Sequence, residues 1–193
     1  MSLIQERLKE SVRAKERIIG DAVILEQIQR ASETMARSLK SGGKLLLCGN
    51  GGSASDALHF AGEIVGRFQR ERPSWPAIAL GAGLASLTAL SNDYGYEDAL
   101  AREATAYGRP GDVLTGISAS GQSPNIIRAV MAAKSAGCYT VGLLGRDGGK
   151  ISALVDCPIV VPSDVTARIQ ESHIAIIHIM CELVENIMTG NES

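Results

Sequence analysis

The spacing of apolar residues changes near residue 44. Before it, Leu3, Arg7, Val12, Ile18 and Ile19 mark one helical stretch rich in charge, and Ile24, Leu25, Ile28, Ala31, Met35 and Leu39 follow at intervals of three to four. That is the period of helices that bury one face. Two helices are therefore expected in the first forty or so residues, the second stopped by Ser41-Gly42-Gly43. Beyond it, short unbroken apolar runs take over: Lys44–Cys48, Ala77–Leu80, Asp112–Ile117, Tyr139–Leu144 and Cys157–Val161. Such runs suit strands covered on both faces. Helical stretches alternate with them, over Ser53–Arg70, two shorter segments, Pro124–Ala136 and Thr166–Met188. This alternation predicts an α/β fold, a three-layer α/β/α sandwich around a five-stranded parallel sheet, preceded by an N-terminal helical hairpin. No repeat or linker interrupts the pattern, so residues 1–193 read as one domain.

Composition narrows the function. The chain has 193 residues, 45% of them apolar and 21% charged. A chain of this size hides roughly 70% of its unfolded surface, and the balance excludes a disordered one. No apolar run approaches the ~18 residues of a membrane span, and Met1–Gly20 reads as a charged amphipathic stretch rather than a signal peptide. The net charge of −2 argues against a nucleic-acid partner. Cys48, Cys138, Cys157 and Cys181 form no CxxC pair and read as reduced core residues of a cytoplasmic protein.

In parallel sheets ligands bind beyond the carboxyl ends of the strands, and two loops there are unusual. Gly49-Asn50-Gly51-Gly52-Ser53 could let the backbone approach an anion at a helix N-terminus. It also fits a loose dinucleotide fingerprint, but the next strand ends in Leu80-Gly81-Ala82-Gly83, with no acid to hold a ribose. A tight turn without a ligand is the plain alternative. The second loop, Ser118-Ala119-Ser120-Gly121-Gln122-Ser123, leads into a helix at Pro124. Three hydroxyls and free amides there suit a phosphate monoester held by neutral dipoles. A serine helix cap accounts for one of them only.

Histidines supply the remaining chemistry. His59 and Glu63 sit four residues apart, on one helical face. They could share a metal ion or act as a base and its neighbour, although an exposed ion pair is the commoner meaning of such spacing. His178 lies among Ile176, Ile177, Ile179 and Met180, which predicts a largely buried acid or ligand, while His173 reads as a core or surface residue. Gln170 and His178 are eight residues apart, ~12 Å along a helix. Touching one ion together would require Gln170 near the helix start or a ligand from another subunit.

Taken in order, Gly49-Asn-Gly-Gly-Ser53, Asp56-x-x-His59-x-x-x-Glu63, Asn92-Asp93-Tyr94-Gly95, Gly111-Asp112-Val113-Leu114, Ser118-x-Ser120-Gly121-x-Ser123 and Arg168-Ile-Gln-Glu171…His178 resemble the phosphoheptose isomerases. These sugar-isomerase (SIS) proteins interconvert sedoheptulose 7-phosphate and glycero-manno-heptose 7-phosphate for the heptose of bacterial lipopolysaccharide. The resemblance runs from about residue 1 to residue 188. It implies the SIS fold, a cytoplasmic homotetramer with active sites between subunits, and residues 1–41 used in packing and oligomerisation. It assigns one zinc ion per subunit to His59, Glu63, Gln170 and His178, and the acid/base roles to Glu63 and His178. It places substrate contacts at Asn50, Gly51, Gly52, Glu63, Asn92 and Asp93, and at Ser118, Ala119, Ser120, Ser123 and Gln170.

Two positions depart from the family pattern. Ala119 stands where relatives usually carry Thr, and Gly81-Ala82-Gly83 replaces a polar stretch that often holds an Asp. Three other functions compete: a SIS tetramer that binds the bacterial replication initiator, an isomerase of another phosphorylated ketose, and a sugar-phosphate sensor. Glu63 and His178 are both present, which favours an enzyme over the initiator-binding scaffold, whose catalytic residues are degraded.

Overall fold

A computed structural model describes residues 2–190. The chain opens with α1 (Leu3–Ile19) and α2 (Ala22–Lys40). Asp21 divides them, because its Oδ1 accepts from the Val23 and Ile24 amides and caps α2. Five strands follow: β1 (Leu45–Gly49), β2 (Ala77–Ala79), β3 (Val113–Ser118), β4 (Tyr139–Gly145) and β5 (Cys157–Val161). The connecting helices are α3 (Gly52–Val65), α4 (Leu84–Tyr94), α5 (Tyr96–Tyr107), α6 (Pro124–Ser135) and the short α7 (Gly149–Ser152), and α8 (Thr166–Thr189) closes the chain. All strands pair in parallel, in the order β2-β1-β3-β4-β5.

Side chains alternate across each strand and build two cores. Leu45, Leu47, Ile117 and Leu143 meet Met35 of α2, Phe60 of α3 and Met180 of α8 on one face. Leu46, Cys48, Leu114 and Leu144 meet Leu100 of α5 and Ile126 and Val130 of α6 on the other. The expected three-layer α/β/α sandwich is what forms. All four cysteines are free and buried, and burial pushes the Cys48 thiol up to about 12 and Cys157 to about 11. No helix among the described residues is long and apolar enough to cross a membrane.

Strand order positions the site. From β1 the chain goes outward to β2 and then returns to the opposite side of β1 for β3. The carboxyl ends of β1 and β3 therefore flank a crevice with no crossover above it, and the glycine and serine loops both start there.

Local details differ from the sequence reading. The helix expected over Ser53–Arg70 stops at Val65. Arg72 folds back and donates to the carbonyls of Glu63 and Ile64, at 2.8 and 2.9 Å, groups that an ending helix leaves without partners. Residues 66–76 become a strap instead. The one-turn α7 has no signal in the apolar spacing.

His173 is fully buried, its Nε2 lying 2.9 Å from the Leu144 carbonyl and its Nδ1 without a partner among the described residues. Burial pushes its pKa down to about 4, opposed in part by that carbonyl. Between pH 6.5 and about 4 the unfolded chain therefore binds a proton that the fold refuses. Stability is full above this window and is lost as pH falls through it, by up to about 3 kcal/mol from this residue. Denaturant titrations at about pH 7 and pH 4.5 should show a larger acid loss for the native sequence than for His173→Gln. An equal loss in both would contradict the assignment.

Candidate active site

Backbone geometry shapes the first loop. A Cβ on Gly49 would run into the Ser53 carbonyl, and Gly51 adopts φ 56° at the start of α3, a conformation that favours glycine. The Asn50 amide between them is pinned. It exchanges two 2.8 Å hydrogen bonds with the buried Asn125 of α6, and its oxygen also accepts from the Tyr96 hydroxyl at 2.7 Å. Asn125 and Tyr96 lie 75 and 46 residues from Asn50 in sequence, and no local pattern marks them.

The serine loop faces this one across the crevice. Ser118 and Ser123 hydroxyls lie 3.1 Å apart, and Ser120 Oγ accepts from the Gln122 amide at 3.2 Å. With Ala119, Asn50 and Gln170 they line a cavity of about 240 Å³, which also takes in Arg146. Gln170 approaches Gly52 so closely that a Cβ there would stand 2.7 Å from its Nε2.

Helices α3 and α8 run side by side in the same direction. Gly52 meets Gln170 at their leading ends, and His59 meets His178 seven and eight residues later, a rise of ~10–12 Å. His59 Nε2 lies 3.0 Å from Glu63 Oε1 and 3.4 Å from His178 Nε2, and the two rings meet edge to face at 5.1 Å. The three ligand atoms lie within 4.8 Å of one another. Tetrahedral zinc with bonds of ~2.0–2.1 Å sets its ligand atoms about 3.4 Å apart, so the donor set and its spacing fit such an ion. One ring nitrogen aimed at both a carboxylate and a second ring nitrogen can serve only one of them with a single proton, which is a second point of fit.

His178 is half-buried rather than buried. Ile176, Ile177 and Met180 turn into the core, while His178 faces α3 and the Phe68 ring, 5.6 Å away. Gln170 keeps company with the serine loop, about two turns back along α8. Asn92 and Asp93 stand exposed at the end of α4, with the Asn92 amide donating to Asp93 at 2.9 Å, and neither lines the serine cavity. Asp56 is held above the usual carboxyl range by burial, opposed by His59.

The strap after α3 escaped the sequence reading. Glu185 of α8 accepts from the amides of Phe68, Gln69 and Arg70 and from Arg72 Nε, all at 3.0–3.2 Å. Burial alone would raise its pKa, but these donors hold it below the usual range. The Arg72 guanidinium also lies 3.7 Å over the Trp75 ring, and both side chains of the ion pair are almost fully buried. One pair thus secures the last turn of α3, which carries Glu63, and lays Phe68 on His178. Breaking a buried pair by removing one partner costs about 3–5 kcal/mol. Glu185→Ala should lose about that much stability in denaturant titration, and Glu185→Gln a comparable amount, because its amide nitrogen would face donors and the buried Arg72 charge would stay unpaired. An effect below ~1 kcal/mol for the alanine variant would show the pair to be incidental.

The doubly wound sheet, the serine crevice and the histidine–carboxylate cluster define a class. The family model "SIS domain" matches residues 10–145, and the chain is a SIS-domain protein. It is 50% identical to a phosphoheptose isomerase of Trichlorobacter lovleyi over 88% of this chain and 87% of that one. It is 46% identical to that of Clostridium acetobutylicum, over 99% and 97%. The solved structure of a phosphoheptose isomerase from Neisseria gonorrhoeae matches with a TM-score of 0.88 at 44% identity, over 95% of this chain and 99% of that one. The chain belongs to the phosphoheptose isomerases, enzymes that interconvert aldose and ketose sugar phosphates.

Proposed function

We propose that this enzyme interconverts sedoheptulose 7-phosphate and D-glycero-D-manno-heptose 7-phosphate through a cis-enediol, with Glu63 as base and His178 as acid. The observation that carries the reading is the convergence of Glu63, His59 and His178, at the lengths given above, two turns along α3 and α8 from the serine cavity. In the direction of ketose formation, Glu63 takes the proton from C2 while His178 donates one to the carbonyl oxygen at C1. The carboxyl then returns its proton to C1, and the imidazole takes one from the C2 hydroxyl, which becomes the carbonyl. Proton transfer of this kind contributes ~10²–10⁴-fold each. Glu63 Oε1 and His178 Nε2 both face His59, so the base role falls to the other oxygen of Glu63 and the acid proton to His178 Nδ1.

His59, Glu63 and His178 would hold one zinc ion per subunit, while Gln170, which the resemblance also implies as a ligand, sits about two turns back along α8 from His178 and would complete the set only from a neighbouring subunit. Bound there, zinc supplies a Lewis acid beside the reacting carbonyl. Ser118, Ala119, Ser120 and Ser123 hold the phosphate, Asn50, Gly51 and Gly52 border it, and Asn92, Asp93 and Gln170 contact the sugar. Remote phosphate binding orients the reacting carbons. Asn92 and Asp93 stand away from the cavity in one chain, which supports an active site completed by a neighbouring subunit. Leu3, Ile4, Leu8 and Val12 of α1 are more than half exposed, an apolar face that suits the oligomerisation role of residues 1–41 in a homotetramer. The reading places the enzyme in the cytoplasm, in the supply of lipopolysaccharide heptose.

An aldose–ketose assay on sedoheptulose 7-phosphate tests it. Glu63→Gln and His178→Asn should each lower turnover by at least ~100-fold with the fold retained by circular dichroism. Normal turnover in either would remove the acid/base assignment, and turnover of another ketose phosphate in preference would correct the substrate.

A further inference from the structure

The serine loop carries neither Lys nor Arg, yet one cation reaches its cavity. Arg146 follows β4 directly, and it is the only charged side chain among the residues lining that space. It is also the only non-glycine residue with a positive φ among the described residues, at 57°. Residues other than glycine, asparagine and aspartate rarely adopt this conformation, and it persists only where the surroundings impose it.

Here they do. The Arg146 amide donates to the Ser163 carbonyl at 3.1 Å, and the turn closes with the Gly148 amide on the Gly145 carbonyl at 2.9 Å. The same turn is pressed onto the serine loop. A Cβ at Gly121 would run into the Gly148 carbonyl, one at Gly149 would meet the Ser120 carbonyl at 2.7 Å, and the Ile151 amide donates to the Gly121 carbonyl at 3.1 Å. The backbone that carries Arg146 is therefore bolted to the backbone that carries the serines. Its side chain is exposed, and no hydrogen bond or ion pair among the described residues engages its guanidinium.

We propose that Arg146 is a further substrate-binding residue, supplying the one cationic partner of the phosphate monoester held by the serine loop. The inference rests on the phosphosugar reading of that loop and deepens it. A guanidinium and a phosphate dianion make stronger, more directional hydrogen bonds than neutral donors do. Arg146 thus adds selectivity for the doubly charged ester to the fit that the hydroxyls provide. A purely backbone role would not need the charge, since asparagine tolerates the left-handed region.

Arg146→Asn and Arg146→Lys, with Ser120→Ala in parallel, separate these roles. The readouts are KM and kcat on sedoheptulose 7-phosphate, the inhibition constant of inorganic phosphate, and thermal stability. Arg146→Asn should raise KM and the phosphate inhibition constant by about tenfold, with kcat changed by less than about threefold. Its melting temperature should match or exceed that of the native sequence, and Arg146→Lys should recover most of the affinity. If Arg146→Asn leaves phosphate inhibition unchanged while Ser120→Ala weakens it, the role of Arg146 is overturned and the serine-loop reading stands. If neither variant moves it, the serine-loop reading fails as well, and the proposal with it.

Discussion

The buried ion pair between Arg72 and Glu185 ties the end of α3 to the later turns of α8, and the geometry of the site depends on that tie. Both helices start at the crevice and run away from it together, so residues about equally far beyond the Gly52–Gln170 contact face each other. His59 and His178 meet for this reason. Arg72 holds the Glu63 and Ile64 carbonyls at the end of α3, while Glu185 gathers three amides of the strap and sets Phe68 against His178. Little of this network is open to solvent, so water competes weakly for its hydrogen bonds.

The same arrangement separates two tasks. In the proposed reaction, anion recognition falls to loops at the carboxyl ends of β1 and β3, where glycines allow close backbone approach and helix ends offer amides. The proposed proton transfer falls to side chains ~10–12 Å further along α3 and α8. In the proposed reaction the substrate carries its charge at one end of a carbon chain and its reacting carbonyl at the other, so this separation suits it. Arg146 joins the first task through the turn after β4, which shares a backbone contact with the serine loop.

Much of this was legible in the sequence, and the gaps have physical causes. Unbroken apolar runs located all five strands, because a strand covered on both faces has no polar positions to hide it. The glycine and serine loops, and the His59–Glu63 spacing, also stood out, since each is a local pattern. What stayed hidden depends on distant partners. Arg72 and Glu185 are 113 residues apart, and nothing near either one announces a buried pair or the early end of α3. His173 and His178 sit in the same isoleucine-rich stretch, yet one turns inward to the Leu144 carbonyl and the other outward to α3. Apolar neighbours in sequence could not tell them apart. Arg146 reads as an ordinary loop cation until its left-handed backbone and its place beside the serine loop are known.

Calorimetric titration of zinc into metal-stripped protein tests the convergence of the two helices most directly. One ion should bind per chain, and affinity should collapse in His59→Ala and in His178→Ala while both variants remain folded. Binding of equal strength in either variant, or none in the native sequence, would mean that these side chains do not act together.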